Sequence, residues 1–337
     1  MAKRIGSRTV QLAHPVHCIA SAAVGGKKEG EGPLHAYFDR IFPDTTMQEP
    51  SWEKAESQLQ TEAVQCALKK AALPTEQVDL ILAGDLLNQC IGSAFGLRAL
   101  NIPFLGQYGA CSTMAQTLAV GAMLIDGGCA SHAVAVTSSH FCSAERQFRF
   151  PLEYGSIRPP TAQWTVTAAG AAVLAASGNG PWIDRVTVGR IVDLGIADAN
   201  NMGAAMAPAA ADTLMAYLRD TGTQPSDYDA VITGDLGATG TQLLTELLGR
   251  EGIDIRPRHA DCGLMIFDRS TQQVDAGGSG CGCAGSVLCG YWMQRLRQGA
   301  VRDILFMATG ALMSTTSSQQ GESIPGIAHL LRIRSEA

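Results

Sequence analysis

Cys111 is the residue in this sequence best placed to do chemistry. It stands in Gly109-Ala110-Cys111-Ser112-Thr113, between a glycine-bounded turn and an apolar helix. The unpaired N–H groups and the dipole at a helix start favour an anion. A thiol at such a position loses its proton more readily and becomes a nucleophile. The alternative is a small buried hydrophobe, the commonest use of a free cysteine. A second group of candidates lies in Ser138-Ser139-His140-Phe141-Cys142-Ser143-Ala144-Glu145-Arg146-Gln147-Phe148-Arg149. His140, Glu145, Arg146 and Arg149 leave the carboxyl end of an expected strand, Ala133–Thr137, where open α/β sheets bind their ligands. The stretch reads as a polar loop, and each charge in it could equally be solvated. Asp85 follows the apolar run Val78–Ala83 and sits at another strand end.

The elements that must hold these groups are legible in outline. No Asp, Glu, Lys or Arg occurs between Arg98 and Asp126. The helix after Cys111 is therefore apolar all round, which places it in an interior. Ser51 reads as the N-cap of a helix whose apolar positions continue to Ala71. Residues 5–24, Gln163–Ala175, Val186–Val192, Asp303–Thr309 and Ile327–Ile333 read as strands, and Asn200–Pro208 leads into an Ala-rich helix that runs to Leu218. The methionines of that leading segment, Met202 and Met206, read as core or dimer packing.

The order of elements recurs. Pro74–Leu86 has a counterpart in Pro225–Leu236, each ending in Gly-Asp-Leu after an apolar strand. Gly109-Ala110-Cys111, a buried helix and a strand match Ser279-Gly280-Cys281, an apolar helix and a strand. The chain thus divides into two α/β halves, residues 1–180 and 181–337, each setting a cysteine at the start of a buried helix.

Of the 337 residues, 46% are hydrophobic and 17% charged, so the chain supports a large core. Net charge is −6 and no basic run appears, which argues against nucleic acid as a partner. The ten cysteines form no C-x-x-C pair and no zinc spacing, indicating a reducing compartment. The first residues do not read as a signal peptide, and no run reads as a membrane span, so a soluble protein is expected. Neither G-x-G-x-x-G in a nucleotide unit nor a P-loop occurs.

A duplicated α/β chain with Gly-Ala-Cys-Ser between a strand and a buried helix resembles the thiolase and β-ketoacyl synthase superfamily. Longer stretches resemble one family within it, that of stage V sporulation protein AD. They include AGDLLNQ (83–89), YGACSTMAQTLA (108–119), SSHFCSAERQFRFPLEYG (138–155), AQWTVTAAGA (162–171), MGAAMAPAAADT (202–213), GDLGATG (234–240), GGSGCGCAGSVL (277–288) and ATGALMS (308–314). This resemblance implies a five-layer αβαβα thiolase-like fold and a homodimer joined near the strand before the nucleophile turn. It implies binding of dipicolinic acid, with or without calcium, for uptake into the developing spore. It also implies partnership with the other stage V sporulation A membrane proteins, hence a peripheral place on the spore inner membrane. No cofactor or metal site follows from it.

Condensing enzymes of the superfamily pair their cysteine with His and Asn, or His and Cys, from the second half. Here those places hold Gly234-Asp235-Leu236-Gly237 and Gly277-Gly278-Ser279-Gly280. The resemblance therefore implies a binding protein, with Cys111 the vestige of a nucleophile. The expected ligand site comprises Asp85, Cys111, Ser112, His140, Glu145, Arg146 and Arg149. Two alternatives stand beside it, an acyl-transfer enzyme using Cys111 with His140 as base, and a structural subunit of a spore membrane channel.

Overall fold

The computed structural model describes residues 2–148 and 158–336. In the first half, β1 (Lys3–Ile5), β2 (Thr9–Gly25), α1 (Lys27–Gly30), β3 (Arg40–Ile41) and α2 (Trp52–Ala71) precede β4 (Leu80–Gly84) and α3 (Ile91–Leu97). Then come β5 (Phe104–Gly106), α4 (Thr113–Asp126), β6 (His132–Ser139), α5 (Phe141–Phe148), β7 (Trp164–Thr165) and β8 (Ala168–Ala175). The second half holds β9 (Trp182–Thr187), α6 (Met202–Thr221), β10 (Ala230–Thr233), α7 (Gly237–Arg250), β11 (His259–Asp261) and α8 (Cys262–Met265). It ends with β12 (Gly278–Ser279), α9 (Cys281–Val287), α10 (Met293–Arg297), β13 (Asp303–Ala311), α11 (Thr315–Gln319) and β14 (Gly326–Arg334).

The repeat read from the sequence is visible in the strand order. Five strands of the first half run β5-β4-β6-β8-β2, and five of the second run β11-β10-β13-β14-β9. In each set the first three strands are parallel and the last two pair antiparallel. Antiparallel pairing of β2 with β9 joins the two sets into one sheet.

The apolar helices do what an all-round hydrophobic pattern requires. Met114, Ala115, Leu118, Ala119 and Ala122 of α4 are buried against strands of both halves. Cutting Leu118 back to Ala in such a site costs about 2–5 kcal/mol. Helix α9 lies directly on β8, where a β-carbon at Gly170 would come within 2.1 Å of the Gly285 backbone. Outer layers are supplied by α2 and α3 on one side and α6 and α7 on the other. The result is the expected five-layer α/β arrangement, with α4 and α9 as its middle layer.

Three expectations need correction. Residues 141–148 form a helix rather than a loop, because Ser143, Ala144 and Glu145 make a buried face while Arg146 stays outside. The strand expected over Val186–Val192 lies earlier, at Trp182–Thr187, where both β2 and β14 offer partners. The stretch Gln163–Ala175 is two strands, because β7 leaves the main sheet and pairs with β12. By contrast Ser51 caps α2 as expected, its hydroxyl accepting from Lys54 N at 3.4 Å. Among the described residues no helix is long and apolar enough to cross a membrane.

Candidate functional site

The turn that presents Cys111 is locked by its own hydroxyls. Ser112 Oγ donates to Gly109 O at 2.7 Å and Thr113 Oγ1 to Ala110 O at 2.6 Å. Gly109 N in turn donates to Thr113 Oγ1 at 3.0 Å. Together these bonds hold Ala110 at φ 51°, a left-handed conformation that costs a non-glycine residue about 1 kcal/mol or more. Cys111 thus precedes α4 by two residues, and Ser112 is committed to the turn, not to a ligand.

Above Cys111 is a cavity of ≈ 40 Å³ walled by both halves. Leu86, Ala144, Phe148, Ala311 and Met313 give it an apolar lining, and Glu145, Thr165 and Ser279 supply the polar points. Past Phe148 and Met313 it meets two hollows of ≈ 180 and ≈ 280 Å³, the second bordered by Tyr108. The inner space suits water-sized groups, and the mouth accommodates a ring.

From the second half come the neighbours that decide the thiol's chemistry. Cys111 Sγ lies 3.9 Å from Ser279 Oγ. Asp235 stands beside both, accepting from Gly280 N at 2.7 Å, Ser279 Oγ at 3.1 Å and Thr309 Oγ1 at 3.1 Å. Burial pushes the Asp235 carboxyl up to about 7. Burial, reinforced by the Asp235 charge and its hydrogen bond, drives the Cys111 thiol well above the ordinary thiol range. Burial of the thiol, 4% exposed, beside that acid works against the expected thiolate. The helix start is outweighed because an acid, not a base, faces the sulfur.

His140 is not that base. Its Nε2 lies 2.8 Å from Thr45 O, and Nδ1 accepts from Cys142 N at 3.2 Å. Both ring nitrogens are occupied, and burial holds the imidazole below its usual pKa. Asp85 is likewise enclosed, accepting from Leu87 N at 2.8 Å and from Ser93 N and Oγ at 2.7 and 2.6 Å. Arg146 points away from the cavity, pairing with Glu53 and lying 5.3 Å from the Trp52 ring. Arg149 lies outside the described residues. Of the seven expected residues, Cys111 and Glu145 line the cavity.

Glu145 is held by Arg158, whose Nη2 sits 2.8 Å from Glu145 Oε2. The Arg158 guanidinium packs on Phe141 and Trp164, which stack on each other 4.0 Å apart. Sequence reasoning passed over Arg158 because it follows a Tyr-Gly-Ser-Ile stretch with no periodicity. It also missed Ser279 and Asp235 as neighbours of Cys111, although the repeated Gly-Asp-Leu triplet marked Asp235. Met202, expected in packing, lines the cavity, while Met206 is core.

Two five-stranded sets in one order, enclosing two helices, one starting at Cys281 and the other two residues past Cys111, define a thiolase-fold protein. Solved structures share that fold across nearly their whole length. Human mitochondrial 3-ketoacyl-CoA thiolase in complex with CoA aligns with a TM-score of 0.60 at 14% identity, covering 97% of this chain and 99% of that one. The 3-oxoacyl-[acyl-carrier-protein] synthase III from Aquifex aeolicus aligns with a TM-score of 0.56 at 13% identity, covering 95% and 99%. Within that class the chain belongs to the stage V sporulation protein AD (SpoVAD) family, whose model matches residues 6–334. It is 45% identical over 327 residues to Stage V sporulation protein AD of Bacillus subtilis, covering 97% of this chain and 96% of that relative. This is a sporulation family carried on a thiolase-like fold.

Proposed function

We propose that this chain is a non-catalytic binding protein for dipicolinic acid and serves its accumulation in the developing spore. The observation that carries the non-catalytic reading is the surroundings of Cys111, where burial and the neighbouring Asp235 hold the thiol well above its ordinary range and no base among the described residues reaches it. A thioester condensation needs a thiolate and donors for the developing oxyanion. His140 has neither nitrogen to spare for the first task.

For the ligand, an aromatic ring fits the mouth between Tyr108, Phe148 and Met313, flanked by the neutral donors of Asn88, Gln89, Thr315 and Thr316. One carboxyl group then faces inward toward Thr165 and Ser279. Glu145 on the wall and Asp235 behind it oppose a bare dianion, so a calcium ion or a proton accompanies the ligand. The homodimer and contact with membrane proteins of the same sporulation stage belong to this proposal.

Calorimetry with dipicolinate, alone and with equimolar calcium, tests it. Ala144→Phe and Ala311→Leu, which fill the cavity, are expected to weaken binding at least tenfold, and Cys111→Ala to change it less than threefold. Unchanged affinity in both filled variants would overturn the site. Acylation of Cys111 by short acyl-CoA thioesters would overturn the non-catalytic reading in favour of acyl transfer.

A further inference from the structure

A second recess, ≈ 850 Å³, lies at the other end of the sheet. It adjoins Arg334, whose partner Asp303 is the first residue of β13, whereas Ala311, the last, lines the Cys111 cavity. Its walls come from the link between the two halves, Gly178-Asn179-Gly180, from Pro15 and His17 of β2, from Trp182 of β9, from Arg297 and from Arg334–Glu336. The link must be glycine at both ends. Gly178 and Gly180 have φ of 140° and 134°, and a β-carbon on Gly180 would come within 2.5 Å of Cys18 O.

Cationic and aromatic groups converge in this recess, in a chain of net charge −6. Arg297 donates to Ser21 Oγ at 2.9 Å and Cys18 O at 3.2 Å, and no carboxylate pairs with it among the described residues. Arg334 reaches Asp303 and Asp184 only at 3.7 and 3.9 Å, and both carboxylates are already held by Arg332. Its guanidinium lies 5.7 Å from the Trp182 ring. On the same indole lies His17, ring centroids 6.1 Å apart. His17 Nδ1 is withdrawn from solvent without a hydrogen-bond partner. Among the described residues Glu336 is the one acid on the lining.

We propose that this recess binds a small aromatic carboxylate, its ring against Trp182 and its charge between Arg297 and Arg334. Guanidinium groups favour planar carboxylates through paired N–H donors. Inorganic phosphate would satisfy the arginines but leave the indole and His17 unused. The proposal does not rest on the Cys111 cavity being a ligand site.

Calorimetry on the full chain with isophthalate, cyclohexane-1,3-dicarboxylate and inorganic phosphate tests it. Isophthalate is expected to bind most tightly of the three. Arg297→Gln and Arg334→Gln, both on the surface, should each weaken it at least tenfold. Trp182→Leu should weaken isophthalate and leave phosphate unchanged, with thermal melts checking that each variant folds. No isophthalate binding by the parent chain, or binding that survives both arginine substitutions, would overturn the site. Equal affinity for phosphate and isophthalate would overturn the aromatic class. Loss in Ala144→Phe alone would move isophthalate to the Cys111 cavity and overturn the recess.

Discussion

Asp85 and Asp235 occupy the same position in the two halves, one residue beyond a Gly at the end of the second strand, yet they face different neighbours. Asp85 accepts from Leu87 and Ser93 within its own half. Asp235 accepts from Ser279, Gly280 and Thr309 and so lies beside Cys111. The duplicated acid has become a structural anchor in one half and the arbiter of a thiol in the other.

Cys111 should therefore alkylate slowly. Peptide mass spectrometry after brief iodoacetamide treatment near pH 7.5 is expected to show the exposed Cys129 modified at least tenfold faster. Modification of Cys111 at the same rate or faster would mean that a base reaches the sulfur.

Asp235 also imposes a pH dependence on stability. Its folded-state pKa of about 7 lies above the ordinary carboxylate value, so between pH 4 and pH 7 the unfolded chain releases a proton that the native chain retains. Stability falls as pH rises through that window, by an amount on the order of a few kcal/mol for this group. Asp235→Asn should lessen the fall, to which the buried Glu29 and Glu56 also contribute, as read by urea unfolding at pH 5 and pH 7.5. The same slope in the variant and the parent would show that Asp235 is ionised throughout.

The Arg158–Glu145 pair holds the cavity wall, and its carboxylate is only 3% exposed. Arg158→Met leaves a buried charge short of a partner and should cost about 1–3 kcal/mol in denaturant unfolding. A change below about 0.5 kcal/mol would assign the wall to packing of Phe141 on Trp164 alone.

The sheet ends at β5, all of whose residues are exposed, with Phe104 at 39% and Leu105 at 45%. An open strand edge with large apolar side chains recruits another strand. A second copy paired across this edge is the expected homodimer. Sedimentation should show Leu105→Asp to be monomeric and Ile191→Asp, on the other exposed apolar stretch, to remain dimeric. The reverse result would move the interface to residues 188–194.

Much of this architecture could be read in advance because its signals are local. Val78–Ala83 and Asp303–Thr309 are apolar runs of strand length, and the Thr113–Asp126 helix has no charged side to expose. The repeated Gly-Asp-Leu triplets gave away the duplication. The site was harder, because its pairings come from afar. His140 is captured by the carbonyl of Thr45, and Cys111 by a serine of the other half. Spacing along the chain carries no trace of either. Helix α5 escaped notice because its eight residues make only two turns, and its buried face contains Ser143 and Glu145, which read as polar.

The pairing of β2 with both β8 and β9 constrains how the chain reaches this form. Apart from its short pairings with β1 and β3, β2 stays unmated until residues 168–187 exist to flank it, Val24 beside Ala169 and Val10 beside Val186. Such distant matings slow folding. During synthesis β2 emerges long before either of its two long neighbours, β8 and β9. A ribosome that stalls before residue 168 releases a polypeptide whose longest strand lacks both β8 and β9, and such a product is a natural client for chaperones or proteases.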